Sequence, residues 1–135
     1  MWSRPDAAQA AGRADPRSTD AVAIVTGGSV GIGREVAGRL ARQGYAVVVV
    51  YLRNPGEAEA AVEEILAADG TALAVRADVT DELDVERLFD ETNAALGGVD
   101  VVVHASRRGS EVVNREAARR LRSGGSIITV DELAR

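Results

Sequence analysis

From residue 21 onward, short apolar runs rich in Val and Ile alternate with segments in which apolar residues recur at helical spacing. Runs of five or six residues with many β-branched side chains are typical of strands that are buried on both faces. Strands that alternate with helices run parallel and are joined by right-handed crossovers. The alternation therefore predicts an α/β fold, a doubly wound parallel sheet with helices on both faces.

Glycines and capping residues mark the ends of the predicted helices. Gly44 and Gly70 follow the first two helices, Pro55 begins the second, and Thr80 is predicted to cap the third. The strands are predicted at residues 21–26, 46–51, 71–77, 99–104 and 126–130. The fourth helix is predicted to present three apolar residues before a glycine turn: Val113, Ala117 and Leu121, then Gly124-Gly125. We expect one Rossmann-like sheet of about five strands in the order 3-2-1-4-5.

Composition narrows the functions that are compatible with this fold. Residues 1–20 are polar and rich in Ala and Pro, which predicts a disordered tail before one domain at 21–135. The net charge of -5 disfavours nucleic acid as a partner. The sequence has no cysteine and all 16 basic residues are arginine, which excludes disulfides, thiolate chemistry and Schiff-base lysines. No segment approaches the ~18 apolar residues of a membrane span, so we expect no membrane contact and a cytoplasmic protein. We also expect no metal site.

The segment T-G-G-S-V-G-I-G at residues 26–33 lies between the first predicted strand and the first predicted helix. A pyrophosphate is bound by backbone N–H groups at a helix N-terminus where no Cβ obstructs it. Gly27 would permit the tight turn, Gly31 the approach of phosphates, and Gly33 close packing of helix on strand. The segment therefore predicts a dinucleotide site, and a glycine-rich turn without a ligand is the alternative. The candidate residues are Thr26, Gly27, Ser29, Gly31, Ile32 and Gly33.

The end of the second predicted strand bears on the choice of dinucleotide. An acidic residue there would accept a hydrogen bond from the ribose of NAD, whereas an arginine favours the 2′-phosphate of NADP. This chain has Tyr51, Leu52 and Arg53 at that point and no carboxylate. We therefore expect NADP(H) in preference to NAD(H), with Arg53 as the phosphate ligand. An ordinary solvated loop charge is the alternative for Arg53.

These residues resemble the classical short-chain dehydrogenases/reductases. The family signature T-G-x-x-x-G-I-G is matched by Thr26, Gly27, Gly31, Ile32 and Gly33. The resemblance implies that Asp78 and Val79, which match the family's Asp-Val pair, contact the adenine. It also implies that His104 and Ala105, similar to the His-Ala-Ala-Gly turn of polyketide ketoreductase relatives, border the cofactor. The implied activity is hydride transfer between NADP(H) and a carbonyl or alcohol of unknown structure.

The sequence also departs from the family pattern. The family's catalytic Tyr-x-x-x-Lys pair has no counterpart in this chain, because the sequence has no lysine and its only tyrosines are Tyr45 and Tyr51. Arg107 stands where the family has a glycine that lets the nicotinamide end of the cofactor lie close to the backbone. The sole histidine, His104, could donate a proton, but a role in shaping the cofactor pocket is the simpler interpretation. We therefore assign no catalytic residue and expect the chain to be truncated after its fifth strand, with lost or impaired activity alone.

Two alternatives to an oxidoreductase follow from these departures. The first is a non-catalytic nucleotide-binding or interaction module, because the strand at 126–130 would be an exposed apolar edge. Such an edge predicts a homo-oligomer or a partner chain that completes the site. The second is a degenerate gene product, which proteolysis throughout the chain would support.

Overall fold

A computed structural model describes residues 21–105 and 109–130. The predicted tail at 1–20 and Arg107 lie outside the described residues. Strands and helices alternate through the described part of the chain. In chain order they are β1 (Val22–Thr26), α1 (Gly31–Arg42), β2 (Ala46–Tyr51), α2 (Pro55–Ala67), β3 (Thr71–Arg76), α3 (Glu82–Leu96), β4 (Val99–His104), α4 (Ser110–Arg120) and β5 (Leu121–Thr129).

The five strands form one parallel sheet in the order β3-β2-β1-β4-β5, so the predicted fold class and strand order are confirmed. At its carboxyl end, β1 pairs with both neighbours, and Thr26 lies opposite Val50 of β2 and His104 of β4. Successive strands are added on opposite sides of β1: β2 and β3 lie on one side, and β4 and β5 lie on the other. The strand order therefore reverses between β1 and β4. In open α/β sheets such a reversal creates the crevice in which ligands bind.

Two apolar cores lie on opposite faces of the sheet because the side chains of each strand alternate between them. On one face, Ile24 and Val102 pack with the buried Leu88 and Phe89 of α3. The same core includes residues of α4. On the other face, the neighbours of Ile24 in β1 pack against α1 and α2. Burial of these cores fixes β1 and β4 between two helical layers.

The junction between α4 and β5 differs from the prediction. Helix α4 ends at Arg120, and Leu121, which was expected on its apolar face, already pairs with Val99. Pairing then resumes at Ser126, so the predicted turn at Gly124 is an irregularity within β5. The residues between these two pairings, 122–125, bulge from the strand. Gly124 has φ +85°, and this left-handed conformation allows the bulge.

The start of α3 also differs from the prediction. Asp81, not Thr80, is the N-cap, and its Oδ1 accepts hydrogen bonds from the backbone N–H of Leu83 (2.9 Å) and Asp84 (3.4 Å). Thr80 instead donates its hydroxyl hydrogen to Asp78 Oδ1 (2.6 Å). This hydrogen bond holds Thr80 in the turn before α3, and Asp81 therefore takes the capping position.

Strand β5 is an edge of the sheet in the described residues. Its side chains Ile127 and Ile128 are 39% and 45% exposed, as expected for an uncovered edge. None of the described helices combines the length and the hydropathy needed to cross a bilayer.

Candidate functional site

The loop between β1 and α1 is built on two glycines with left-handed backbone conformations. Gly27 has φ +67° and Gly31 has φ +58°, values that side chains disfavour. The N–H of Gly28 donates to the carbonyl of Val50 (3.3 Å), which anchors the loop to β2. The loop therefore turns sharply from the end of β1 into α1.

The N-terminus of α1 points its free N–H groups towards this loop. Val30 occupies the N-cap position and supplies no side-chain hydrogen bond, and the first turn contains no acidic residue. The first N–H groups of a helix have no partner within the helix, and the helix dipole makes this end positive. An anion bound here would satisfy both the N–H groups and the dipole.

Only glycine fits at position 33, because α1 and the glycine-rich loop approach each other closely there. A Cβ at this position would overlap the carbonyl oxygen of Gly27 and lie 3.0 Å from the Cβ of Ala105. Ala105 is itself held against β1 by its N–H, which donates to the carbonyl of Thr26 (3.2 Å). At Gly31, by contrast, a Cβ would meet no atom within 4 Å. The helix start is thus packed on its inner side and open on its outer side, which suits the approach of a pyrophosphate.

A cleft of about 260 Å³ lies beside this loop, between the ends of β2 and β3. Five of the predicted site residues line it: Gly27, Ser29, Arg53, Asp78 and Val79. Arg53 is exposed, and within the described residues its guanidinium has neither an ion pair nor a hydrogen bond. Asn54 occupies the N-cap position of α2, where its side chain makes no capping hydrogen bond, and it lines the cleft as well. It was not among the predicted site residues, and no spacing signal in the sequence indicates this position.

Asp78 and Val79 form the wall of the cleft on the β3 side. Asp78 Oδ1 accepts hydrogen bonds from the backbone N–H and hydroxyl of Thr80, at 3.0 and 2.6 Å. The Asp78 N–H donates to Asp84 Oδ2 (2.8 Å), which ties the turn to α3. Gly109, at φ +74°, packs so closely on this turn that a Cβ would come within 2.6 Å of Val79 Cγ2. The wall is therefore held by contacts from α3 and from the N-cap residue of α4.

The other predicted site residues lie outside the lining of this cleft. Gly31, Ile32 and Gly33 form the first turn of α1, with Ile32 packed towards the core. Thr26 and His104 are both only 1% exposed and end the adjacent strands β1 and β4. The His104 imidazole is turned towards α4, with Nε2 2.7 Å from Asn114 Oδ1. No group of three His, Asp or Glu side chains in the described residues could hold a metal ion.

Comparison with known proteins identifies the family. The sequence profile of the short chain dehydrogenases matches residues 21–121. The chain belongs to the short-chain dehydrogenase family. Its matched region contains the glycine-rich loop and the walls of the cleft described above.

Short-chain dehydrogenases of bacteria and fungi are similar to this chain in sequence and structure. A short chain dehydrogenase of Passalora fulva is 36% identical over 140 residues, covering 87% of this chain and 51% of that protein. A dehydrogenase/reductase of Sinorhizobium meliloti superimposes with a TM-score of 0.75 at 38% identity, covering 81% of this chain and 52% of the other. A short chain dehydrogenase of Burkholderia cenocepacia, solved in complex with NADP, gives 0.73 at 32% identity, covering 79% and 53%. This chain thus spans about half of the length of these relatives.

Proposed function

We propose that this chain binds NADP(H) as the cofactor half of a short-chain dehydrogenase that interconverts a carbonyl and an alcohol. The observation that carries the proposal is the start of α1, packed against Gly27 at Gly33 and open at Gly31. This geometry fits a pyrophosphate, and the adjoining cleft extends from it towards Arg53 and Asp78. Family membership supports the reaction class.

Each wall of the site would contact a different part of the dinucleotide. The N–H groups at the start of α1 would bind the pyrophosphate. The turn at Asp78-Val79 would contact the adenine, and its hydrogen bonds to Thr80 and Asp84 hold it in place before binding. When bound, NADPH supplies the hydride that reduces the carbonyl carbon. His104 and Ala105 would support the loop from β4.

Arg53 supports NADP(H) rather than NAD(H) as the cofactor. Among the described residues it is the only cationic side chain that lines the cleft, and none of them neutralises it. Guanidinium groups bind phosphates through paired, charge-assisted hydrogen bonds. A similar short chain dehydrogenase of Burkholderia cenocepacia was solved in complex with NADP, which is consistent with this choice.

We further propose that these 135 residues do not complete the reaction by themselves. Protonation of the developing alkoxide needs a positioned acid, and the family's Tyr-x-x-x-Lys pair cannot be formed because the sequence contains no lysine. The acid would have to come from another polypeptide segment or partner chain. We expect the chain to bind NADPH without oxidising it in the presence of simple ketones.

Calorimetric titration of the chain with NADPH and NADH tests the cofactor assignment. Loss of one charged hydrogen-bonding partner costs about 1.5–3 kcal/mol, so Arg53→Ala should weaken NADPH binding roughly 10- to 150-fold and leave NADH binding unchanged. Arg42→Ala, an equal change of charge near the end of α1, is the matched control. Equal affinities for both nucleotides in the wild type would refute the role of Arg53. No binding of either would refute the proposed function.

A second candidate function is that of an interaction module, and it is favoured by the exposed Ile127 and Ile128 on the edge strand β5. Exposed apolar strand edges pair readily with other chains. Ile128→Lys should then convert an oligomer into a monomer in size-exclusion chromatography with light scattering. A wild-type chain that is monomeric at high concentration would remove this candidate.

A further inference from the structure

Two buried polar atoms at the carboxyl edge of the sheet have no hydrogen-bond partner among the described residues. They are Thr26 Oγ1 and His104 Nδ1, and each residue is 1% exposed. Buried polar groups are almost always hydrogen-bonded, since a buried donor or acceptor without a partner costs about 1–3 kcal/mol. Two such atoms in one place therefore call for a common explanation.

The two residues lie side by side on one face of the sheet. Thr26 and His104 are Cα partners in the parallel register of β1 and β4, so their side chains project to the same side. Ile24 and Val102, two residues earlier in each strand, belong to the core that packs on α3 and α4. The Thr26 hydroxyl and the His104 ring therefore lie next to each other on the face of the sheet that packs against α3 and α4.

The contact with Asn114 bears on which nitrogen of His104 carries the hydrogen. Asn114 Oδ1 lies 2.7 Å from Nε2 and can only accept, so a neutral ring that makes this hydrogen bond carries its hydrogen on Nε2 and leaves Nδ1 as an acceptor. A hydroxyl group is both donor and acceptor. A single water molecule between Thr26 Oγ1 and His104 Nδ1 would satisfy both atoms, as buried waters do in polar sites.

We propose that Thr26, one bound water, His104 and Asn114 form a continuous hydrogen-bonded chain from β1 through β4 to α4. Within it, Asn114 is a positioning residue that holds His104 in the Nε2–H form. Gly27 directly follows Thr26 and Ala105 directly follows His104. These hydrogen bonds therefore fix the glycine-rich loop relative to α4. The last step rests on the proposed function, because its consequence is the affinity for NADPH.

The single histidine makes the proposal testable by nitrogen NMR of the uniformly labelled chain. Long-range proton–nitrogen correlations at pH 8, without nucleotide, should show one form with the hydrogen on Nε2. A hydrogen on Nδ1, or rapid averaging of the two forms, would overturn the proposal in the wild type alone. Asn114→Ala should produce the averaged pattern, whereas Asn93→Ala, which removes an exposed amide from α3, should not. An unchanged His104 spectrum in Asn114→Ala would also overturn it.

The bridge to Thr26 has its own pair of variants. Thr26→Val keeps the side-chain shape but removes the hydroxyl, and should shift the Nδ1 resonance, whereas Thr26→Ser should retain the wild-type position. An Nδ1 resonance that is unaffected by Thr26→Val would overturn the bridge. For the loop, Asn114→Ala should weaken NADPH binding about three- to ten-fold, equivalent to one hydrogen bond. Unchanged affinity would overturn the positioning role, while a wild type that binds no NADPH refutes the proposed function and leaves the NMR result separate.

Discussion

Substitution of Gly33 by alanine tests whether the approach of α1 to the glycine-rich loop is as close as the structure has it. The new Cβ would overlap the carbonyl oxygen of Gly27, lie 2.7 Å from its carbonyl carbon and 3.0 Å from the Cβ of Ala105. Two of these atoms belong to the backbone, so relief requires movement of the loop. Overpacking of this kind costs up to about 3 kcal/mol, and the higher helix propensity of alanine offsets at most about 1 kcal/mol. We therefore expect Gly33→Ala to reduce the free energy of unfolding by about 2 kcal/mol.

Gly38, one and a half turns later in α1, provides the matched control. A Cβ there would meet only Arg42 Nη1 at 3.5 Å, which is an ordinary contact. Gly38→Ala should therefore raise the free energy of unfolding by about 0.5–1 kcal/mol. Urea unfolding followed by helical circular dichroism measures both variants, with unchanged slopes indicating the same unfolded state. Effects of the same sign, or a Gly33→Ala variant that is as stable as the wild type, would refute the close approach.

Two further predictions concern the supports of the fold. Asp81→Ala removes the side chain that caps α3 and should lower the free energy of unfolding by about 1 kcal/mol in urea titrations; no change would mean that Asp81 is not the cap. Asp100 Oδ2 accepts from the N–H of Val22 (2.8 Å), and its carboxylate pairs with Nε and Nη2 of Arg122 at 3.0 and 2.7 Å. Asp100→Asn should therefore cost about 1 kcal/mol in low salt and less in 1 M NaCl, where charges are screened beyond about 3 Å. A cost that does not depend on salt would argue against the ion pair.

The strand order could be predicted because each βαβ unit is local and its handedness is fixed by chain geometry. The tight turn at Gly27 could be predicted for the same reason, since a turn is a property of a few consecutive residues. Leu121 and Gly124 were placed wrongly because their structure depends on β4. Pairing of Val99 and Val101 with β5 extends the strand past a glycine that, by itself, indicates a turn.

The contacts between distant residues could not be predicted from spacing. Arg34 of α1 pairs with Glu57 (3.3 Å) and Glu64 (2.8 Å) of α2, which are distant in sequence. The hydrogen bond to Glu64 raises the pKa of Arg34 above its ordinary value, although burial opposes this. The contact of His104 with Asn114 likewise depends on how α4 packs against β4. Identification of the cleft required the same information, because its walls come from the ends of β1, β2 and β3.

The claim that the start of α1 binds a dinucleotide is tested most directly by thermal unfolding with NADPH. Ligand at 100 times its dissociation constant should stabilise the wild type by about 2.7 kcal/mol, roughly 10 °C in Tm. Gly31→Asp places a carboxylate in the open side of the helix start and should abolish this shift. Gly97→Asp, with a similar positive φ and open surroundings at the far end of the sheet, should retain it. A cooperative transition that NADPH does not shift, or an equal shift in Gly31→Asp, would contradict the account.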